Sequence, residues 1–420
     1  MKKINFNPEM DPLEDPILPR RERREAKRRR IGTPSSLEQA LRADNRIQMW
    51  LVDSLDFKAA QILAKLQSLP GLARMAIMPD VHPSADVCVG TVLGTDEVVY
   101  PQAIGGDIGC GMSTLAMTDI GIPGHDERAE ILRELNRSID IVMRRRGQEA
   151  APPRFVAPDT GDLADASLRK LASGEGVTQL GSLGRGNHFV EVQHDEAGRV
   201  WIMVHSGSRF MGQAIARRYT REAERDGVRA LLVGLRASSA AGTDYLHDQA
   251  WGVAYARANR MLLLAVAAKA VASALGGRPD WAGVLDAPHN FIREESHDGK
   301  PLIVHRKGAA PAYAGFTGLI PGSAGTMSVH VEGRGEARSM ASSSHGAGRV
   351  FSRSEAKSLV TADDLHQQMS GVAFDTSKTR SLRDEAPAVY RDLREVMEAQ
   401  RDLVRVTRTL KPIVSFKAGG

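Results

Sequence analysis

The spacing of apolar and polar positions changes period repeatedly along this chain of 420 residues. Residues 1–35 hold no sustained apolar period: prolines at 8, 12, 16 and 19 precede a run of charge and then Pro34-Ser35-Ser36. Ser35 or Ser36 is suited to cap the open N–H groups of a helix that runs to about residue 47. Ile47-Gln-Met-Trp-Leu-Val reads as a strand, and Phe57 to Leu69 has helical spacing that stops at Pro70-Gly71. From Ala76 to Leu115 short apolar runs are broken by Gly, Pro and Asp, which predicts strands and tight loops. Residues 126–146 predict a helix with a basic end at Arg144-Arg-Arg, favourable against the helix dipole. Val200 to His205 reads as a buried strand, Phe210 to Asp226 as a helix, and Asp244 to Leu275 as a long Ala-rich helix whose apolar positions suit a core. Strands with glycine-rich loops follow over 299–350. Helices near 354–359 and over Ala388 to Leu403, then a strand at Ile413 to Phe416, close the chain. There is no internal repeat and no linker after residue 35. The interleaving lacks a regular βα rhythm, so the expected class is mixed α/β: an extension over 1–35 and one large domain over 36–420.

Composition adds bounds. Hydrophobic residues make up 42% and charged residues 25%, as in globular proteins. No run of eighteen apolar residues occurs, and the N-terminus lacks the apolar stretch of a secretion signal, so a cytoplasmic location and no membrane partner are expected. Cys88 and Cys110 are too few for a disulfide framework. The net charge of +5 owes much to Arg20–Arg30, which carries eight cations and two acids. That arm suits phosphate binding. The remainder is close to neutral, so charge alone does not establish a nucleic-acid partner.

The chemistry lies in small-residue contexts. Asp107 and Cys110 stand in Gly106-Asp-Ile-Gly-Cys-Gly-Met112, His188 in Gly-Asn187-His188-Phe189, His205 in Val-His-Ser-Gly-Ser-Arg209, and His289 in Ala-Pro-His-Asn290. One carboxylate, one thiol and three imidazoles exceed a tetrahedral site, which favours two metal ions sharing Cys110. Ligand softness by itself points to zinc. Cys88, in Val-Cys-Val, reads instead as a small buried hydrophobe. His125, His194, His247, His297, His305, His330 and His366 have polar or helical neighbours and are expected at the surface. No P-loop pattern occurs. Loops at Pro321-Gly322-Ser323-Ala324 through Ser328, and at Ser344-His345-Gly346-Ala347-Gly348-Arg349, can offer backbone N–H groups to phosphate. His345 between Ser and Gly reads as a nucleophile, since histidine can carry a phosphoramidate.

Met78-Pro-Asp80-Val-His82, the Asp107–Cys110 loop, Leu183-Gly-Arg-Gly-Asn-His-Phe-Val-Glu191, Val204-His-Ser-Gly-Ser-Arg209, Arg306-Lys-Gly-Ala309 and Ser344-His-Gly-Ala-Gly-Arg349 together resemble the RtcB family of 3′-phosphate RNA-splicing ligases. The resemblance runs from about residue 45 to Lys417, in the family's motif order. It implies one large α/β fold around a metal and nucleotide cleft, two Mn²⁺ ions and GTP, in place of the zinc that softness suggests. By motif, Asp107, Cys110 and His188 would hold one ion and Cys110, His205 and His289 the other. His345 would take GMP from GTP and pass it to an RNA 3′-phosphate, which a 5′-hydroxyl then attacks; 2′,3′-cyclic phosphates would be opened first. The guanylate pocket would comprise Asn187, His188, Phe189, Val190 and Glu191, His289 and Asn290, Pro321, Gly322, Ser323 and Ala324, Ser328, His345, Gly346, Ala347 and Gly348, and Lys417. Phe189 would stack on the base and Lys417 bond its edge. Arg209 would neutralise phosphate, and Asp80 would orient a neighbour.

Three departures from the family pattern mark a divergent paralogue: Pro83-Ser84-Ala85-Asp86 where a Gly-x-Gly loop is usual, Phe210 in place of a glycine, and Ala418 after Lys417. They keep open an enzyme that caps 3′-phosphates or opens cyclic ends without efficient joining. A non-catalytic RNA-binding protein using the basic arm is the remaining reading. The partner is then RNA with such ends, with an activating protein as a further candidate.

Overall fold

Caps and turns set the local structure as the residue types require. In this computed structural model, which describes residues 34–143 and 157–418, the Ser35 side chain accepts from the Glu38 N–H and opens helix α1 (Ser36–Ala43). Strand β1 (Ile47–Met49) follows, then α2 (Phe57–Leu66), whose first turn is capped by the Asp56 carboxylate. Strands β2 (Leu72–His82) and β3 (Val89–Thr95) lead to β4 (Gly111–Thr118) and helix α3 (His125–Ser138). Strands β5 (Phe189–Asp195) and β6 (Val200–Ser206) precede helices α4 (Arg209–Asp226) and α5 (Ala240–Leu275). The rest is mainly strand: β7 (Leu285–Pro288), β8 (Asn290–His297), β9 (Lys300–Lys307), β10 (Thr317–Ile320), β11 (Ser328–Gly333) and β12 (Val404–Lys417).

Two sheets carry the domain. One runs β1-β2-β3-β9-β8, with β1 parallel to β2 and the other neighbours antiparallel. The larger sheet runs β7-β4-β6-β5-β12-β11-β10, antiparallel throughout, with the short Arg278–Pro279 strand added beside β4. Helices α3 and α5 pack on the large sheet, so Leu115, Val192, Ile202 and Val414 share one core with Ile131, Leu135, Leu264 and Val271. Helix α5 is long and apolar enough to cross a membrane by length and composition, yet most of that stretch is buried inside the molecule. Its apolar surface is accounted for by the two sheets and α4. This is the mixed α/β single domain expected.

Three element expectations are corrected. The helix expected over 126–146 ends at Ser138, because Ile139 turns extended and the carbonyls of Asp140 and Ile141 accept from Leu183 and Gly184 N–H at 2.8 Å. That pairing anchors the loop leading to His188. The end of the expected helix, Arg144-Arg-Arg, lies outside the described residues, as does the Arg20–Arg30 arm. The helix expected over Ala388–Leu403 is only Leu393–Ala399, because Arg391 N–H bonds the Gly348 carbonyl and Tyr390 pairs with Arg349 in an extended bridge. The last strand is far longer than Ile413–Phe416. Polar residues such as Thr407 and Arg408 remain in β12 because its first half is hydrogen-bonded to β11, as its second half, from Leu410 on, is to β5.

Candidate metal and nucleotide site

The large sheet brings the sequence motifs to one end. In neighbouring strands Pro288 faces Gly111, Gly111 faces Ser206, Phe189 faces His205 and Lys417 faces Phe189. Residues from five segments far apart in sequence thus form one row across that end. Glycine is required where the row is tightest: a Cβ at Gly111 would lie 2.7 Å from the Ala287 carbonyl oxygen, and one at Gly207 3.3 Å from Cys110. Backbone bonds join the loops, from His289 N–H to the Cys110 carbonyl at 2.8 Å and from Gly109 N–H to the Asn290 carbonyl at 2.7 Å.

The donor atoms of Cys110, His205 and His289 all lie within 4.8 Å of one another, and all three residues are buried. His188 joins them from the side: its Nε2 is 3.5 Å from Cys110 Sγ, while His205 Nε2 is 3.3 Å from the same sulfur. The other ring nitrogens face carbonyls, His188 Nδ1 at 2.8 Å from Leu183 O and His205 Nδ1 at 3.2 Å from Asn187 O. A carbonyl only accepts, so each Nδ1 carries the proton and each Nε2 lone pair is aimed at the cluster. Burial pushes the Cys110 thiol up to about 12, helped by nearby Asp107, and holds His188 down at about 4. Burial and mutual repulsion drive His205 and His289 well below the usual imidazole range. Neutral imidazoles around a thiol, with no acid buried among them, fit a divalent transition metal. Asp107 lines the same cleft but is exposed, outside the compact donor group.

His345 lies beside this cluster, its ring centroid 4.6 Å from that of His289. Oδ2 of fully buried Asp80 stands 2.7 Å from His345 Nδ1 and also accepts from the His345 N–H at 3.3 Å. The carboxylate favours the proton on Nδ1 and leaves Nε2 as the free nitrogen. Gly348 permits this approach, since a Cβ there would meet the Asp80 carbonyl at 2.5 Å and its backbone is left-handed (φ +73).

Asp107, Cys110, His188, His205, His289 and His345 open on a cleft of about 1350 Å³, with Asp80 behind its wall. Asn187, Phe189, Glu191, Asn290, Arg209, Lys417, Pro321–Ala324 and Gly346–Gly348 line it too. Val190 points into the core and Ser328 is buried against Gln193, so neither lines the cleft. Lys417 Nζ lies 5.6 Å from the Phe189 ring centroid and donates to Glu385 Oε2 at 3.0 Å. Glu385 in turn accepts from the Tyr390 hydroxyl at 2.6 Å. Glu191 is buried, and the loss of water pushes its carboxyl up to about 7 despite Lys417 nearby and a bond from Gln193.

The family profile described as tRNA-splicing ligase RtcB matches residues 62–418. The chain belongs to the RtcB family. It is 33% identical over 404 residues to the RNA-splicing ligase RtcB of Escherichia coli K12, covering 88% of this chain and 97% of that one. It is 30% identical to the RNA-splicing ligase RtcB of Mycobacterium tuberculosis over 84% of this chain and 99% of the other. RNA-splicing ligase RtcB homolog 1 of Entamoeba histolytica is 27% identical over 84% of this chain and 82% of its own length.

Other site residues escaped the sequence reading. Fully buried Arg260 of α5 donates to the Gly109 carbonyl at 2.6 Å and the Ser206 carbonyl at 3.1 Å, gripping the backbone beside Cys110 and His205. Its neighbour Asn259 donates to Ser182 O and Ser206 Oγ at 3.1 and 2.9 Å. The signal was present: an Asn-Arg pair inside an Ala- and Leu-rich helix has to be paired if buried. Lys307 and Glu385 also line or flank the cleft. Conversely, three histidines expected at the surface are buried. His305 bridges the Leu93 and Ile303 carbonyls and accepts from the Tyr100 N–H, His330 packs edge-on to Trp201, and His297 pairs with Glu295. Each is a strand residue whose ring turns inward onto a partner there, His330 through Nδ1 and the Arg408 guanidinium at 3.1 Å.

Proposed function

We propose that this chain is an RNA ligase that joins 2′,3′-cyclic phosphate or 3′-phosphate ends to 5′-hydroxyl ends, using GTP and two Mn²⁺ ions. The observation that carries the reading is His345, its Nδ1 2.7 Å from Asp80 Oδ2 and its ring beside a thiol–imidazole cluster in a large cleft. The names of the RtcB relatives support the same reaction class.

Cys110, His205 and His289 would hold one ion, and Cys110, His188 and Asp107 a second. Bound there, the metal supplies charge stabilisation for phosphoryl oxygens. The chain's own groups do the rest. His345 Nε2 attacks the α-phosphorus of GTP, pyrophosphate leaves, and a phosphorus–nitrogen bond forms while Asp80 holds the imidazolium proton at Nδ1. An oxygen of the RNA 3′-phosphate then takes the GMP group and His345 is regenerated. The 5′-hydroxyl attacks the activated 3′-phosphorus, GMP leaves and a phosphodiester results. Arg209 and Lys307, both facing the cleft, neutralise the phosphates. Phe189 and Lys417 would seat the guanine.

Incubation with α-labelled GTP and Mn²⁺, followed by a denaturing gel, tests the proposal. An acid-labile label on the wild type and none on His345→Ala is the expected result; no label on metal-loaded wild type would sink it. A second reading has one observation in its favour: Pro83 and Ser84 of the altered loop line the cleft. On that reading activated or opened RNA ends accumulate without joining, which the fate of an end-labelled RNA distinguishes.

A further inference from the structure

Phe210, the second residue of α4, is used neither by the donor cluster nor by the guanylate pocket. It is half-buried, packs on the core beneath α4 and borders the cleft. Its N–H donates to Gln179 Oε1 at 3.1 Å, which pins the backbone to another segment of the cleft wall. The guanidinium carbon of Arg217 lies 5.5 Å from the ring centroid, and Arg217 is itself fixed by a bond from Nε to the Gln213 carbonyl at 3.2 Å. Arg209 precedes the ring, and Arg185 lines the same cleft. Among the described residues no carboxylate pairs with Arg185, Arg209 or Arg217.

An aromatic ring on a cleft wall, flanked by guanidiniums without acidic partners, is the arrangement that holds single-stranded nucleic acid: bases stack and phosphates are neutralised. Guanidiniums without carboxylate partners argue for a polyanion over an apolar peptide. We propose that Phe210 is a stacking platform for one base of the single-stranded RNA entering the cleft, with Arg217 and Arg185 contacting the adjoining backbone. The platform rests on the RNA reading above. Every base has a π-face, so such a platform holds the strand without selecting its sequence.

The test is equilibrium binding of a fluorescein-labelled single-stranded RNA ending in 3′-phosphate to the full Mn²⁺-loaded chain, read by anisotropy. Wild type, Phe210→Leu and Phe210→Trp are each titrated with intact RNA and with RNAs carrying one abasic site, moved stepwise back from the 3′ end. Phe210→Leu is expected to weaken binding of intact RNA roughly ten-fold, with Phe210→Trp matching or exceeding wild type. At one abasic position the wild type should fall to the level of Phe210→Leu and the difference vanish. Equal affinity of Phe210→Leu and wild type would overturn the platform alone; a surface serving a protein partner gives that result. A loss indifferent to the abasic position, as from misfolding, also counts against it. Wild type that binds no RNA at all would overturn the platform and the RNA reading together.

Discussion

Oδ2 of Asp80, on β2, stands 2.7 Å from Nδ1 of His345, which sits in a loop far away in sequence. The carboxylate fixes which nitrogen of the ring is free, so its effect on the reaction is separable from metal binding. Asp80→Asn is expected to lower the single-turnover rate of His345 guanylylation by about 10²–10⁴-fold, since an amide can stabilise the wrong tautomer and cannot balance the imidazolium. Mn²⁺ affinity, measured by calorimetry, should change little. A rate within a few-fold of wild type would remove Asp80 from the mechanism.

Metal binding should release a proton. Burial holds the Cys110 thiol near 12, so it is protonated in the metal-free site at neutral pH, while a metal requires the thiolate. Raising the pH should therefore tighten Mn²⁺ binding, by up to about ten-fold per pH unit for one proton released. Calorimetry in buffers of different ionisation enthalpy reports the proton count directly. Cys110→Ser should abolish both the release and the rise in melting temperature on adding Mn²⁺; chelation should lower wild type to the same level.

Arg260 carries a structural load the donors depend on. It pairs with Asp286 at 2.8 Å and holds the carbonyls of Gly109 and Ser206. Arg260→Met removes the buried cation from Asp286 and from both carbonyls and leaves the carboxylate only the Ser113 hydroxyl and the more distant Arg257, at a cost of about 3–5 kcal/mol in urea unfolding. The same variant should weaken metal binding by roughly 10–100-fold, as loss of outer support does at metal sites. Undiminished stability would show that water can replace the guanidinium.

Glu191 gives a pH signature with a definite sign. Its folded pKa is raised to about 7 by burial, above an ordinary value of 4.5. Between those values the folded state keeps a proton that the unfolded state has lost. Its contribution to stability is therefore lost as pH rises and levels off above about pH 7, at a total of about 3 kcal/mol. Glu191→Gln should remove the slope: little difference from wild type near pH 4.5, and a relative gain at pH 8. Urea unfolding at both values measures it, and equal differences at the two would refute the raised pKa.

Much of the local structure was legible. Ser35 and Asp56 cap as their side-chain oxygens allow, Gly276 follows the end of the long α5 helix, and Cys88 is buried as an apolar residue. The motifs likewise singled out Cys110, His205 and His289, whose donor atoms the fold brings within 4.8 Å of one another, because no packing role explains a thiol and imidazoles among glycines. Less legible were the strand histidines. His305 and Arg306 alternate faces, yet both are buried because β9 lies inside its sheet with packing on each side.

Residue types and their immediate neighbours settled where helices start and which side chains could bind metal, since capping and donor chemistry act within a few bonds. Only the tertiary structure decided that β4, β5, β6 and β12 end together, that α3 stops so Leu183 and Gly184 can bond the chain beyond it, and that Arg260 reaches under the donor loops. Those outcomes depend on strand register and on the pairing of buried polar groups across the fold. Both are long-range, and no window of sequence contains them.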